Sequence, residues 1–92
     1  MFERVHDWQA WKAAGGAILD VRERFEVAMG TLPDAIHIPL GELPHRRAEL
    51  PDQPVLVICR SGNRSEQAAR FLAGCGHRSA NLEGGLLAFG RA

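Results

Sequence analysis

Cys59 is followed by Arg60, Ser61, Gly62, Asn63, Arg64 and Ser65, a polar, basic, glycine-containing run behind a thiol. Backbone N–H groups of such a turn can point at a shared centre, and a helix starting there adds partial positive charge. Arg60 and Arg64 add full charges. All three influences favour thiolate over thiol, so Cys59 is expected to be a nucleophile. Gly62 suits a cradle of this kind, supplying a positive φ or room for close backbone approach. The plain alternative is a small buried hydrophobe ending a core strand. Two arginines and a glycine directly after the cysteine fit that alternative poorly.

The elements on either side must hold the cysteine in place. Val55-Leu56-Val57-Ile58 is a short continuous apolar run bounded by turn residues, the pattern of a buried parallel strand. The segment from Glu66 to Gly74 reads as a helix with Ala68, Leu72 and Cys75 on one face and Phe71 beside them. Asn63 with Glu66 three residues later matches a capping box, which would start the helix near Arg64. Cys59 therefore falls at a strand's carboxyl end, facing a helix N-terminus.

The 92 residues suit a single domain spanning 1–92, and the 46% hydrophobic content supplies one core. Eleven basic residues balance eleven acidic ones, which argues against nucleic acid as a partner. The local charge at Arg60 and Arg64 suits a small anion better. No apolar run approaches membrane-spanning length, and Met1-Phe2-Glu3-Arg4 leads into Asp7 without a signal-peptide core, so a cytoplasmic chain without membrane contact is expected. Cys75 lies at the far end of the helix from Cys59, roughly 15 Å away, beyond the about 7 Å that a disulfide spans. Cys75 is expected to be packed. Cys75-x-His77 would be half a metal site, and no second pair completes it, so neither metal nor cofactor is expected.

Elsewhere, Arg4 to His6 reads as a first strand, and Asp7 as the N-cap of a helix from Trp8 to Ala14 ended by Gly15-Gly16. Ala17 to Asp20 is a buried strand. A charged helix runs from Arg22 to about Met29, with Glu23 and Arg24 on a solvated face. Ala35 to Ile38 is a strand closed by Pro39, Gly41 to Leu50 a short or irregular helix, Ser79 to Leu82 a last strand, and Leu86 to Phe89 a terminal segment. Such alternation gives an α/β three-layer sandwich: a mostly parallel central sheet of about five short strands, with helices on both faces. Ligands bind outside the carboxyl ends of such strands, where Asp20, Pro39, Cys59 and the Glu83-Gly84-Gly85 turn all fall.

A thiolate among amide donors serves several reaction classes. A cysteine phosphatase needs an arginine six positions after the cysteine; here that position is Ser65, and Arg64 comes one residue early. The shorter loop leaves less room for a phosphoryl group, and no aspartate other than Asp34 or Asp52 offers itself as general acid. Protease-type chemistry needs a paired histidine. His37 is placed in a strand, and His6, His45 and His77 have no special claim. Sulfur transfer survives: the thiolate takes the outer sulfur of a small anionic donor such as thiosulfate and passes it to a protein or small-thiol acceptor. A non-turnover sulfur carrier that docks a protein partner is the alternative, and a cysteine phosphatase or arsenate-reductase-like enzyme a more distant one.

These residues carry a resemblance. The chain resembles a single-domain rhodanese, a thiosulfate sulfurtransferase-like domain, over about residues 5 to 89. Asp20-Val21-Arg22-Glu23 with Glu26 is similar to the family's Asp-x-Arg element. Gly30 to Pro39 is similar to its Gly-His-Ile-x-Gly-Ala-x-Asn-Ile-Pro segment, Cys59 to Ser65 to its Cys-x-x-Gly-x-Arg-Ser loop, and Asn81 to Gly85 to its closing Leu-x-Gly-Gly element. The resemblance implies a persulfide on Cys59, an anion cradle from Arg60, Ser61, Gly62, Asn63 and Arg64, and support from Asp20, Arg22 and Ser65. Arg64 would either touch substrate or cap the loop from behind, and Arg60 would meet a sulfonate or an acidic partner. A monomer or weak dimer is expected. Thr31 and Asp34 replace histidine and glycine as tolerated turn changes. Phe89 replaces a tryptophan shortly before Ala92, which would leave apolar surface exposed or invite a partner.

Overall fold

The computed structural model describes residues 2–90. The ends of the expected 1–92 domain, including Ala92, lie outside the described residues. In chain order the elements are β1 (Glu3–Val5), α1 (Trp8–Ala13), β2 (Ala17–Asp20), α2 (Arg24–Val27), β3 (Ile36–His37), α3 (Leu43–Arg46), β4 (Val55–Ile58), α4 (Asn63–Gly74) and β5 (Ser79–Leu82). Tighter single turns of helix flank α3 at Leu40–Glu42 and Arg47–Glu49, and another closes the chain at Leu86–Phe89.

The five strands form one sheet in the order β1-β5-β4-β2-β3, parallel at every pairing. Parallel strands need a crossover between neighbours, and the helices that make these crossovers cover both faces. Alternation along β2 and β4 sorts the core. Leu19, Val55 and Val57 face Leu43 of α3 and Ala68, Ala69 and Leu72 of α4. Ile18, Leu56 and Ile58 face Trp8 and Trp11 of α1, together with Leu86. The sandwich is thus three layers thick, and β4, with all four residues buried, lies at its centre.

Local chemistry explains the boundaries. The Asp7 carboxylate accepts the Ala10 N–H at 3.0 Å and starts α1 as an N-cap should. The expected helix from Arg22 is shorter, beginning at Arg24, because Arg22 turns back to Asp20 and is only 3% exposed. The strand expected over Ala35 to Ile38 is two residues long, since only Ile36 and His37 stand opposite Leu19 and Asp20. Two expectations for α4 fail. No capping box forms, because Gly62 at φ +100° is the N-cap and Asn63 is already the first helical residue. Cys75 and Phe71 are exposed, not packed, because the core-facing stripe is Ser65, Ala68, Ala69 and Leu72. Asp34 does take a positive φ, 60°, in keeping with an aspartate in a turn.

Candidate active site

Because β4 is parallel to its neighbours, Cys59 leaves the carboxyl edge of the sheet beside the end of β2, where Val21 N–H donates to the Ile58 carbonyl at 3.1 Å. The chain then turns sharply into α4. Gly62 makes that turn with its positive φ, and its carbonyl accepts the Glu66 N–H at 3.2 Å to open the helix. This geometry aims two backbone donors at the sulfur. Gly62 N–H reaches Cys59 Sγ at 3.1 Å and Ser65 N–H at 3.3 Å, while Ser65 Oγ lies 3.2 Å away. All lie at the N-terminus of a 12-residue helix, where unpaired amides and the dipole favour negative charge. The expected amide nest is therefore present, and Cys59 sits at its base with no exposed surface.

The Gly84-Gly85 turn holds the loop from the other side. Leu86 N–H donates to the Cys59 carbonyl at 2.9 Å, and Leu87 N–H to the Arg60 carbonyl at 3.0 Å. A Cβ on Gly85 would stand 2.5 Å from the Arg60 oxygen and 2.8 Å from the Cys59 oxygen, so only glycine permits this approach.

The loop side chains divide. Arg60, Ser61 and Asn63 are exposed, Gly62 and Ser65 are buried, and Arg64 is half-buried. Arg64 grips both oxygens of Glu26 at 2.6 and 2.9 Å. That guanidinium holds the Glu26 carboxyl down to about 2, and the carboxylate in turn raises Arg64 above its ordinary value. Glu26 also accepts the Glu23 N–H, so α2 and the loop share one acceptor. Arg64 is thus held from the α2 side, its charge paired with that of Glu26.

Asp20 and Arg22 stand at the same sheet edge, but their hydrogen bonds go elsewhere. Asp20 accepts from Arg22 Nε and Nη2 at 2.9–3.1 Å, from the Arg22 N–H, and from the Thr31 hydroxyl at 2.7 Å. Arg22 also donates to the Gly30 carbonyl at 2.6 Å. The buried pair pins the β2–β3 crossover that carries α2. This segment meets the cysteine strand and loop at two places, Val21 N–H to the Ile58 carbonyl and Glu26 to Arg64. Thr31 is a partner in this network and more than a tolerated turn change.

Sequence reasoning passed over two residues here. Glu26 stands in the sequence within a charged segment and beside the Asp-x-Arg element, with nothing to mark its bond to Arg64, 38 positions away. Asn81, a lone amide in the otherwise apolar or small β5, is fully buried beside the loop. Its Nδ2 donates to the Gly62 carbonyl and its Oδ1 accepts from Ser65. An amide on a buried strand was the available signal. Among the described residues, no group of three or more His, Cys, Asp or Glu side chains could hold a metal ion, and no helix is long and apolar enough to cross a membrane.

Comparison with known proteins adds to this geometry. The family model of the rhodanese-like domain matches residues 3–92. A sulfurtransferase of Allochromatium vinosum is 42% identical over 76 residues, covering 80% of this chain and 71% of that relative. The thiosulfate sulfurtransferase GlpE of Pseudomonas entomophila is 34% identical over 89 residues, covering 91% of this chain and 81% of the relative. The solved structure of reduced CoADR-RHD from Bacillus anthracis superposes with a TM-score of 0.91 at 33% identity, covering 98% of this chain and 17% of that longer one.

Proposed function

The chain belongs to the rhodanese-like domain family, and on that premise we propose that it moves a sulfane sulfur from thiosulfate or a similar small anionic donor to a thiophilic acceptor through a persulfide on Cys59. The observation that carries this reading is the convergence of the Gly62 and Ser65 N–H groups on Cys59 Sγ at 3.1 and 3.3 Å. Two fixed amide donors at a helix N-terminus stabilise a sulfur anion without any proton on it. They need not reorganise as charge moves from one sulfur to the next.

In the first half-reaction the Cys59 thiolate attacks the outer sulfur of thiosulfate. The donor's S–S bond breaks, and its electron pair leaves with sulfite. The persulfide anion is then held by the loop amides. In the second half-reaction a thiol or another nucleophile attacks the outer sulfur, and the electron pair of the breaking bond returns to Cys59. The chemistry calls on no metal and no organic cofactor. Arg60, exposed and without an ion-pair partner among the described residues, meets the donor's sulfonate or an acidic surface on a protein acceptor. Arg64 serves the loop through Glu26. A formal net charge of zero fits a small anion and a thiol acceptor as partners better than nucleic acid. A cytoplasmic setting, where thiols stay reduced, suits a free nucleophilic cysteine.

The test is intact-protein mass spectrometry after incubation with thiosulfate, comparing wild type with Cys59→Ser. A reductant-labile gain of one sulfur atom, absent from the variant, is the expected result. A folded wild type that gains none from thiosulfate but is loaded by a protein persulfide acts as a carrier instead. A folded wild type loaded by neither overturns the reading.

A further inference from the structure

Ser65 has one hydroxyl proton and two neighbours that compete for it, Cys59 Sγ and Asn81 Oδ1. Asn81 decides between them. Its Nδ2 lies 3.3 Å from the Gly62 carbonyl oxygen. A carbonyl carries no proton, so the end of the amide that faces it must be the donor. The other end, Oδ1, is then turned to the Ser65 hydroxyl. Between an amide oxygen and a hydroxyl, only the hydroxyl has a proton to give. Ser65 therefore donates to Asn81, and what it turns toward Cys59 Sγ, 3.2 Å away, is a lone pair.

We infer that Asn81 is a positioning residue: it withholds the Ser65 hydroxyl from the Cys59 thiolate, leaving that thiolate, among the described residues, the two backbone N–H groups. A thiol at Cys59 can donate to Ser65 and complete the chain Cys59, Ser65, Asn81, Gly62. A thiolate meets a lone pair at the same place. Both Ser65 and Asn81 are buried, so water does not take over the missing donation.

The consequence concerns sulfur release, and this part rests on the persulfide reading. When an acceptor anion attacks the outer sulfur, the bond to Sγ breaks and the electron pair stays on Cys59. Sγ is the leaving atom whose anion Asn81 leaves short of a donor. The residue therefore slows discharge and lengthens the time the chain holds its sulfur. The direction of the Ser65 proton does not depend on that reading.

The experiment measures alkylation of Cys59 by iodoacetamide across pH, read on the Cys59 peptide so that exposed Cys75 does not interfere. Wild type, Asn81→Leu, Ser65→Ala and the double variant are compared. Leucine matches the size of asparagine, and Gly62 keeps its bond from the Glu66 N–H, so the loop retains its helical anchor. Freed from Asn81, the hydroxyl swings to the sulfur. Asn81→Leu is expected to react about tenfold faster on the limb of the profile where the rate still rises with pH, the worth of one hydrogen bond to a charged group. The gain disappears on the alkaline plateau, and in the double variant it falls to the about twofold gain of Ser65→Ala alone.

No gain on that limb overturns the inference. So does a double variant that reacts faster than Ser65→Ala alone, or a gain that persists on the alkaline plateau, because loosened access, not hydroxyl donation, would then be its cause. Should Asn81→Leu fail to fold, Ser65→Ala decides alone. It is expected to react about twofold faster, because the thiol loses its acceptor; slower reaction would mean the hydroxyl donates to sulfur in the native chain. Discharge of a preloaded persulfide to cyanide is expected to quicken in parallel with alkylation. If no variant can be loaded at all, the persulfide reading fails while alkylation still decides the direction of the proton.

Discussion

The Glu26 carboxylate holds the Arg64 guanidinium with both oxygens, at 2.6 and 2.9 Å, and so ties the four-residue helix α2 to the cysteine loop. Such a two-pronged bond fixes direction as well as distance, which a lysine's single ammonium cannot do. Arg64→Lys is accordingly expected to keep the charge but lose the loop's alignment. Sulfurtransferase turnover should fall about tenfold, with a smaller change in KM for the donor, if the Arg64 guanidinium, paired with Glu26, serves the loop and not the anion. Steady-state kinetics at fixed acceptor would check the split.

The same pair makes a pH prediction. In the folded chain Glu26 titrates near 2 instead of at its ordinary value near 4.5, because Arg64 donates to it. A depressed carboxyl contributes stability above its unfolded value and loses it as pH falls through the folded one. Stability is therefore expected to drop by about 1–2 kcal/mol between roughly pH 4.5 and pH 2 on account of this group, allowing for its partial screening. Denaturant melts over that range should show a shallower acid limb in Glu26→Gln. Equal acid limbs would show that the pair contributes nothing to acid sensitivity.

Gly85→Ala tests the buttress behind the loop. The new methyl would meet the Arg60 carbonyl at 2.5–2.7 Å and the Cys59 oxygen at 2.8 Å, on a backbone already at φ +60°. Both contacts are with main chain, which cannot rotate away. A loss of about 2–4 kcal/mol is expected, with turnover falling further than stability alone would explain. Thermal melts and kinetics on the folded fraction separate the two effects.

How much of this was legible in the chain follows from the range of each interaction. The strand–loop–helix unit around Cys59 is written in contiguous residues, from the apolar run Val55 to Ile58 to the glycine of the turn, and it stands where the sequence places it. The N-cap at Asp7 is local too. What was missed is side-chain pairing at a distance: Glu26 with Arg64, Asn81 with Ser65, and Thr31 with Asp20. Short-range pattern also misled twice. Asn63 and Glu66 have capping-box spacing, but the positive φ of Gly62 moves the helix start one residue back, and the loop amides then face sulfur. Cys75 looked packed because helical period was counted without the direction of the sheet.

The buried pair Asp20–Arg22 predicts a stability defect. Arg22→Ala would leave Asp20 a charge with no exposed surface, and only the Thr31 hydroxyl and one backbone N–H to satisfy it. Removing one partner of such a pair costs about 3–5 kcal/mol. Asp20→Asn with Arg22→Met should recover part of that loss, because no unpaired charge then remains. Urea denaturation of the three variants is the check. A double variant no better than Arg22→Ala would place the cost in packing instead of charge.

Arg60 supplies the last prediction. It is exposed directly after the cysteine and has no ion-pair partner among the described residues, whereas Arg64 is neutralised by Glu26. A free cation at the mouth of the site acts on an approaching dianion before any bond changes. Arg60→Ala is therefore expected to raise KM for thiosulfate about fivefold at low salt with little change in kcat, the scale of one screened charge contact in water. Added salt should raise KM for wild type toward that of the variant, since both remove the same attraction. Arg60→Glu should raise it further. A fall in kcat at unchanged KM would place Arg60 in the chemical step and not in donor capture.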